Sequence, residues 1–104
     1  MAGTIDARLA ELGIELPEAA APVANYVPYT VTGNLVFVSG QVPIAKGEIQ
    51  YSGKLGEDVS IEDGQKAARL CGMNLIAQLK AACGGDLDRV TQVIKLGGFV
   101  NGTP

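Results

Sequence analysis

The chain of 104 residues contains no histidine and no tryptophan, and it has only two cysteines, two phenylalanines and three tyrosines. Without histidine, a Cys–His nucleophile and a mixed Cys/His zinc site are both excluded. Cys71 and Cys83 are 12 positions apart in what reads as one helix, so about 18 Å of axial rise separates them. They cannot pair within one chain, and each reads as a small buried apolar side chain. No apolar run approaches the roughly 20 residues needed to span a bilayer. Asp6, Glu11 and Glu15 stand where a signal peptide would carry basic and then apolar residues, so the expected location is the cytoplasm. Basic charge is scarce as well: eight Lys and Arg face eleven Asp and Glu, for a formal charge of -3. With no basic cluster and few stacking aromatics, the chain is a poor electrostatic match for nucleic acid.

What is present is small and apolar. Hydrophobic residues make up 47% of the chain, with 14 glycines, a composition suited to close backbone packing. The length allows a single domain, 1–104. A domain of this size buries only about two thirds of the surface that its unfolded chain exposes, so association with further copies would supply missing burial.

Thr4 can cap a short helix through Leu12, with Ile5, Leu9 and Leu12 on one side and Gly13 just past the end. Residues 14 to 28, with three prolines and a run of alanines, read as an extended connector. A turn at Ala45-Lys46-Gly47-Glu48 precedes a possible short strand at Glu48–Tyr51. The glycines that follow do not make a phosphate-binding loop, because the spacing is wrong and Leu55 replaces the required Ser or Thr. Ser60 with Asp63 predicts the start of a helix over about 61–83, stopped by Gly84-Gly85. Its small face holds Gly64, Ala67, Ala68, Cys71, Leu75, Leu79 and Ala82. Asp86 can cap a turn through Arg89, and from Val90 the chain reads as a long, mostly buried strand. That strand would return beside its predecessors in a right-handed βαβ unit.

The richest stretch runs from Pro28 to Pro43. Two strand-forming runs flank Thr32-Gly33-Asn34, and the second stops at Ser39-Gly40-Gln41 before Pro43 ends pairing. The hairpin thereby delivers a hydroxyl, a glycine amide without a Cβ and a side-chain amide to the end of a strand. Such a set suits an anionic or carbonyl-bearing small molecule.

Tyr29, the Gly33-Asn34 turn, the apolar run 35 to 38 and Ser39-Gly40-Gln41-Val42-Pro43 resemble the signature of the RidA/YjgF family, also called reactive-intermediate imine deaminases or endoribonuclease L-PSP-like proteins. The likeness continues from Ser60 to Phe99. It implies an α/β (α+β) chorismate-mutase-like fold, a mixed sheet covered on one face by helices, assembled as a homotrimer. Residues 1–16 would be an N-terminal extension and 17–104 the first portion of the family core. The family fold carries a second helix and two further strands after the position matching Pro104, so the resemblance implies a truncated member ending after the fourth strand.

The implied reaction is hydrolysis of a reactive enamine or imine to a 2-keto acid and ammonia, in pockets between subunits and with no cofactor or metal. By position, Tyr29 and Ser39 match catalytic pocket residues, and Gly40 and Gln41 the adjoining substrate-binding turn. The alternative is that Ser39 and Gln41 only satisfy backbone groups of the turn and that Tyr29 is an ordinary strand aromatic. The family's carboxylate-clamping Arg and its acidic residue would follow Pro104. Arg69 and Arg89 do not match that motif and read as solvated charges. Leu96-Gly97-Gly98 stands where the deaminases usually present two threonines. Two other functions therefore stay open: a non-catalytic binder of a small metabolite, and an endoribonuclease or translation inhibitor.

Overall fold

The computed structural model describes residues 3–19 and 27–104. The elements are helix α1 (Thr4–Glu11), strands β1 (Tyr29–Thr32), β2 (Leu35–Val38), β3 (Ile44–Ala45) and β4 (Glu48–Ile49), helix α2 (Ile61–Ala82) and a 3-10 turn over Leu87–Arg89. The connector expected over 14 to 28 falls partly outside the described residues.

The strands form two antiparallel hairpins. In the first, Tyr29 pairs with Val38 and Thr32 with Leu35. Its two-residue loop has Gly33 at φ +55 and Asn34 outside the left-handed region, the pattern of a type II′ turn. In the second, Ile44 pairs with Ile49 and Ala45 with Glu48 across Lys46-Gly47. There both loop residues have positive φ, +53 and +78, the type I′ pattern that matches strand twist.

Helix α2 packs on both hairpins through β1, β2 and β3. Ser60 is its N-cap and accepts the Asp63 N–H at 3.1 Å. Gly84 and Gly85 end it at φ +66 and +95, as the sequence indicates. Arg89 is not simply a solvated charge, because its Nη1 donates to the Cys83 carbonyl at 3.2 Å. A cation there complements the negative end of the helix. The buried face differs from the small-residue stripe read from the sequence. Its most buried positions are Asn74, Ala77 and Gln78, and Gln78 is only 2% exposed. Both cysteines are free, Cys83 buried and Cys71 half-buried.

Helix α1 starts at the expected cap, Thr4, so that its own cap lies one residue earlier. Gly3 is its N-cap and supplies no side-chain bond. Instead the Asp88 carboxylate, 84 positions away, accepts the Thr4 N–H.

The strand expected from Val90 does not form. Residues 90–100 take no regular structure, and Val93, Ile94, Leu96 and Val100 are 69–79% exposed, with Phe99 fully exposed. The segment is tied at its ends, by the 3-10 turn and by a parallel bridge from Leu55 to Gly102. Between those ties no strand among the described residues pairs with it, and a strand is stable only as half of a ladder. The expected βαβ unit is therefore absent from the described residues. Among them, no helix is long and apolar enough to cross a membrane.

Candidate functional site

The turn after β2 is built by reaching backward. The Ser39 N–H donates to the Pro28 carbonyl at 2.9 Å, and the Ser39 Oγ donates to the Val27 carbonyl at 2.6 Å. These bonds tie the exit of β2 to the residues that enter β1. Gln41 Nε2 then donates to the Ser39 carbonyl at 2.9 Å, closing the tripeptide on itself. The Ile44 N–H donates to the Val42 carbonyl at 2.7 Å, a three-residue turn centred on Pro43, whose ring holds the required φ.

Beneath this elbow lies a residue that the sequence reading passed over. Asn74 is 5% exposed, and its Nδ2 donates to the carbonyls of Val42 at 3.2 Å and Ile44 at 3.0 Å. A buried amide survives in a core only when its groups are paired. Here the carbonyls of Val42, before β3, and of Ile44, its first residue, take both of its N–H bonds. The available signal was a lone Asn in the middle of an otherwise apolar helical run, where asparagine is not favoured on propensity grounds.

Of the four residues singled out from the sequence, Ser39, Gly40 and Gln41 are contiguous in the elbow. Tyr29 is brought beside them through its pairing with Val38 and is half-buried. Gly40 is exposed, and nothing lies within 4 Å of where a Cβ would sit. A ligand can therefore approach its backbone closely.

The hydrogen bonds assign directions. Because the Ser39 hydroxyl proton is engaged by Val27, that oxygen faces a ligand as an acceptor. It suits an N–H or a water better than a carboxylate. One proton of the Gln41 amide nitrogen is likewise engaged, which leaves its second N–H as a donor and its carbonyl end as an acceptor. Among the described residues, no group of three or more His, Cys, Asp or Glu side chains could hold a metal ion. One open cleft of about 960 Å³ lies elsewhere, between α1, residues 13–16 and α2, and it includes none of these four residues.

Comparison with known proteins agrees with this architecture. The profile of the family described as "YjgF/chorismate mutase-like, putative endoribonuclease" matches residues 6–103. A crystal structure described as "a putative endoribonuclease" from Shewanella oneidensis MR-1 superposes with a TM-score of 0.81 at 45% identity, over 88% of this chain and 60% of that one. The protein Atu1372 of unknown function from Agrobacterium tumefaciens gives a TM-score of 0.66 at 49% identity, over 78% of this chain and 47% of that one. Protein TCP17 of Trypanosoma cruzi is 46% identical over 98% of this chain, which spans 63% of TCP17's length. The chain belongs to the YjgF family and has its chorismate-mutase-like α/β fold.

Proposed function

We propose that the elbow Ser39-Gly40-Gln41, with Tyr29 beside it, is part of a pocket that hydrolyses reactive enamine or imine intermediates to 2-keto acids and ammonia. The observation that carries this reading is the donor and acceptor assignment at Ser39. Its proton is held by the Val27 carbonyl at 2.6 Å, so the oxygen accepts from an iminium N–H or from the attacking water. In the reaction, an enamine first becomes the imine by moving a proton from nitrogen to its β-carbon, and water then adds to the carbon of the C=N bond. Its protons pass to nitrogen, the C–N bond breaks, and ammonia leaves a carbonyl behind. Lone pairs aimed at the water and the nitrogen orient both without a cofactor.

A carboxylate on the substrate is best held by a charged, bidentate donor, and the elbow's side chains offer no more than the second N–H of Gln41. The pocket is therefore completed by groups beyond this set, in our reading from a neighbouring copy in a homotrimer. Exposed apolar side chains support that assembly: Leu35 and Phe37 on β2, and Val93 to Val100 beyond the helix. Such a strip is costly to leave in water.

A second reading, non-catalytic binding of a small metabolite, is favoured by one observation. Arg89, one of the two arginines beyond α1, donates to the Cys83 carbonyl. That bond turns the Arg89 guanidinium to the end of α2, where it is occupied in capping the helix. Endoribonuclease activity, the description carried by the family and by the Shewanella protein, has the least physical support here, given a net charge of -3.

Incubation of the full chain with freshly generated 2-aminoacrylate tests the proposal. Ammonia and pyruvate should appear faster than in buffer, and Ser39→Ala should lower the rate by roughly 10- to 100-fold, in the range of a lost positioning bond. Release no faster than in buffer sinks the deaminase reading. Retention of a bound 2-keto acid without turnover would establish the binding module instead.

A further inference from the structure

Helix α1 has no buried residue. Ile5 and Leu12, two of the three apolar residues expected to dock it, remain 39% and 51% exposed. Apolar packing therefore contributes little to holding it in place, and polar contacts at its N-terminal turn supply the rest. Asp88 Oδ2 accepts the Thr4 N–H at 2.8 Å, and Oδ1 accepts the Ile5 N–H at 2.9 Å. Lys80 Nζ of α2 lies 3.4 Å from Asp6 Oδ1. The first two bonds satisfy helix donors that have no partner within the helix, the role that an N-cap side chain normally plays locally.

Gly3 is fitted to this arrangement. Its backbone is extended, at φ -85 and ψ -175, a conformation that any residue can adopt. A Cβ there, however, would stand 2.3 Å from Asp88 Oδ2 and 2.8 Å from its Cγ. Glycine is required by the carboxylate, not by the torsions. The charged groups around Asp88 are otherwise engaged. Asp86, on the same turn, accepts the Asp88 N–H, Arg89 donates to Cys83, and Arg8 of α1 is paired with Glu11. Among the described residues no ion pair neutralises Asp88, so its partners are the two helix amides.

We propose that Gly3 and Asp88 form a matched latch that docks α1 as a detachable unit. Its release takes Asp6 and Leu9 away from Met73 and Lys80 and so dismantles the 960 Å³ cleft that these residues wall. The hairpins share no latch contact and stay folded when α1 leaves. The latch makes the cleft conditional on docking: latched, it assembles the cleft and holds Lys80 against Asp6; released, it exposes Met73 and frees the Lys80 amine.

Amide exchange on the full chain at neutral pH tests this. Asp88→Asn retains one good acceptor oxygen in place of two, and Asp88→Ala retains neither. Exchange at Thr4, Ile5 and Ala7 should rise in that order, by roughly 3- to 30-fold, the span of a lost N-cap. Gly3→Ala should reproduce the Asp88→Ala effect, while the double variant should be no worse than Asp88→Ala alone, since both remove the same contact. Acylation of Lys80 should quicken in parallel, with α2 and β1–β2 amides unchanged. Three results would overturn the proposal: wild-type exchange at Thr4 and Ile5 in Asp88→Asn, additive effects in the double variant, or equal loosening of α2.

Discussion

Leu35–Val38 and Val93–Val100 are both apolar runs that read as strands, and only the first becomes one. Leu35–Val38 follows its partner by two residues, so closing the Gly33-Asn34 turn brings four facing pairs together at little loop entropy. It is then backed by α2. Val93–Val100 has comparable side chains but no adjacent partner, and it stays exposed between two anchors. Apolar β-propensity is thus a statement about what a segment could pair with, and pairing is decided by the neighbour.

The comparison is broken most severely by removing what backs the ordered region. Asn74→Ala leaves the Val42 and Ile44 carbonyls without their buried donor and should cost about 1–3 kcal/mol, read as a lower urea midpoint. A loss below about 0.5 kcal/mol would mean that the elbow does not depend on the helix beneath it. Gly33→Val forces a β-branched residue to φ +55 and should destabilise by roughly 1–2 kcal/mol. Retention of full stability would show that turn geometry is not what places β2. Ser60→Ala removes the α2 cap and should cost about 1 kcal/mol in the same measurement. Phe99→Ser, in the unpaired segment, should change the stability of the isolated chain by less than about 0.5 kcal/mol while lowering its tendency to associate in light scattering. A larger loss would mean that this segment is packed after all, and the contrast between the two runs would fail.

The smallest effects are ionic. The Ile5 and Thr4 amides hold the Asp88 carboxyl below its usual range. A depressed folded-state value means that the contribution is fully present above the unfolded value of about 4 and is lost as pH falls through the folded one. Protection of the Thr4 amide, its exchange rate relative to that of an unstructured peptide at the same pH, should therefore be flat from neutral pH down to about 4 and fall only below it. Burial pushes the Cys71 thiol up, so its alkylation near neutral pH should be slower than that of a free thiol.

Local signals were read correctly at most places where the relevant physics spans a few residues, the Thr4 cap of α1 being the exception. Ser60 caps α2, the Gly84-Gly85 pair stops it, Asp86 caps the 3-10 turn, and glycines occupy the left-handed turn positions. The Ser39-Gly40-Gln41 elbow was legible because a strand, a turn and Pro43 punctuate it within a few residues. Asn74 and Gln78 were not, since helical periodicity selects apolar faces and has no way to see which carbonyls a polar residue will meet. Asp88 was equally hidden: a remote cap leaves no spacing rule to read.

From its sequence alone, then, this chain determined its helices, its first hairpin, the turn of its second, its acidic character and the polar elbow at the end of β2, because propensity, capping and turn chemistry act over short distances. Tertiary structure decided the rest. It chose which apolar run found a ladder partner, turned the Ser39 hydroxyl into an acceptor by giving its proton to Val27, seated Asn74 under the elbow and docked α1 on Asp88. Each of those outcomes depends on which unsatisfied donors and acceptors meet after residues far apart in the chain come together, and no local pattern encodes that meeting.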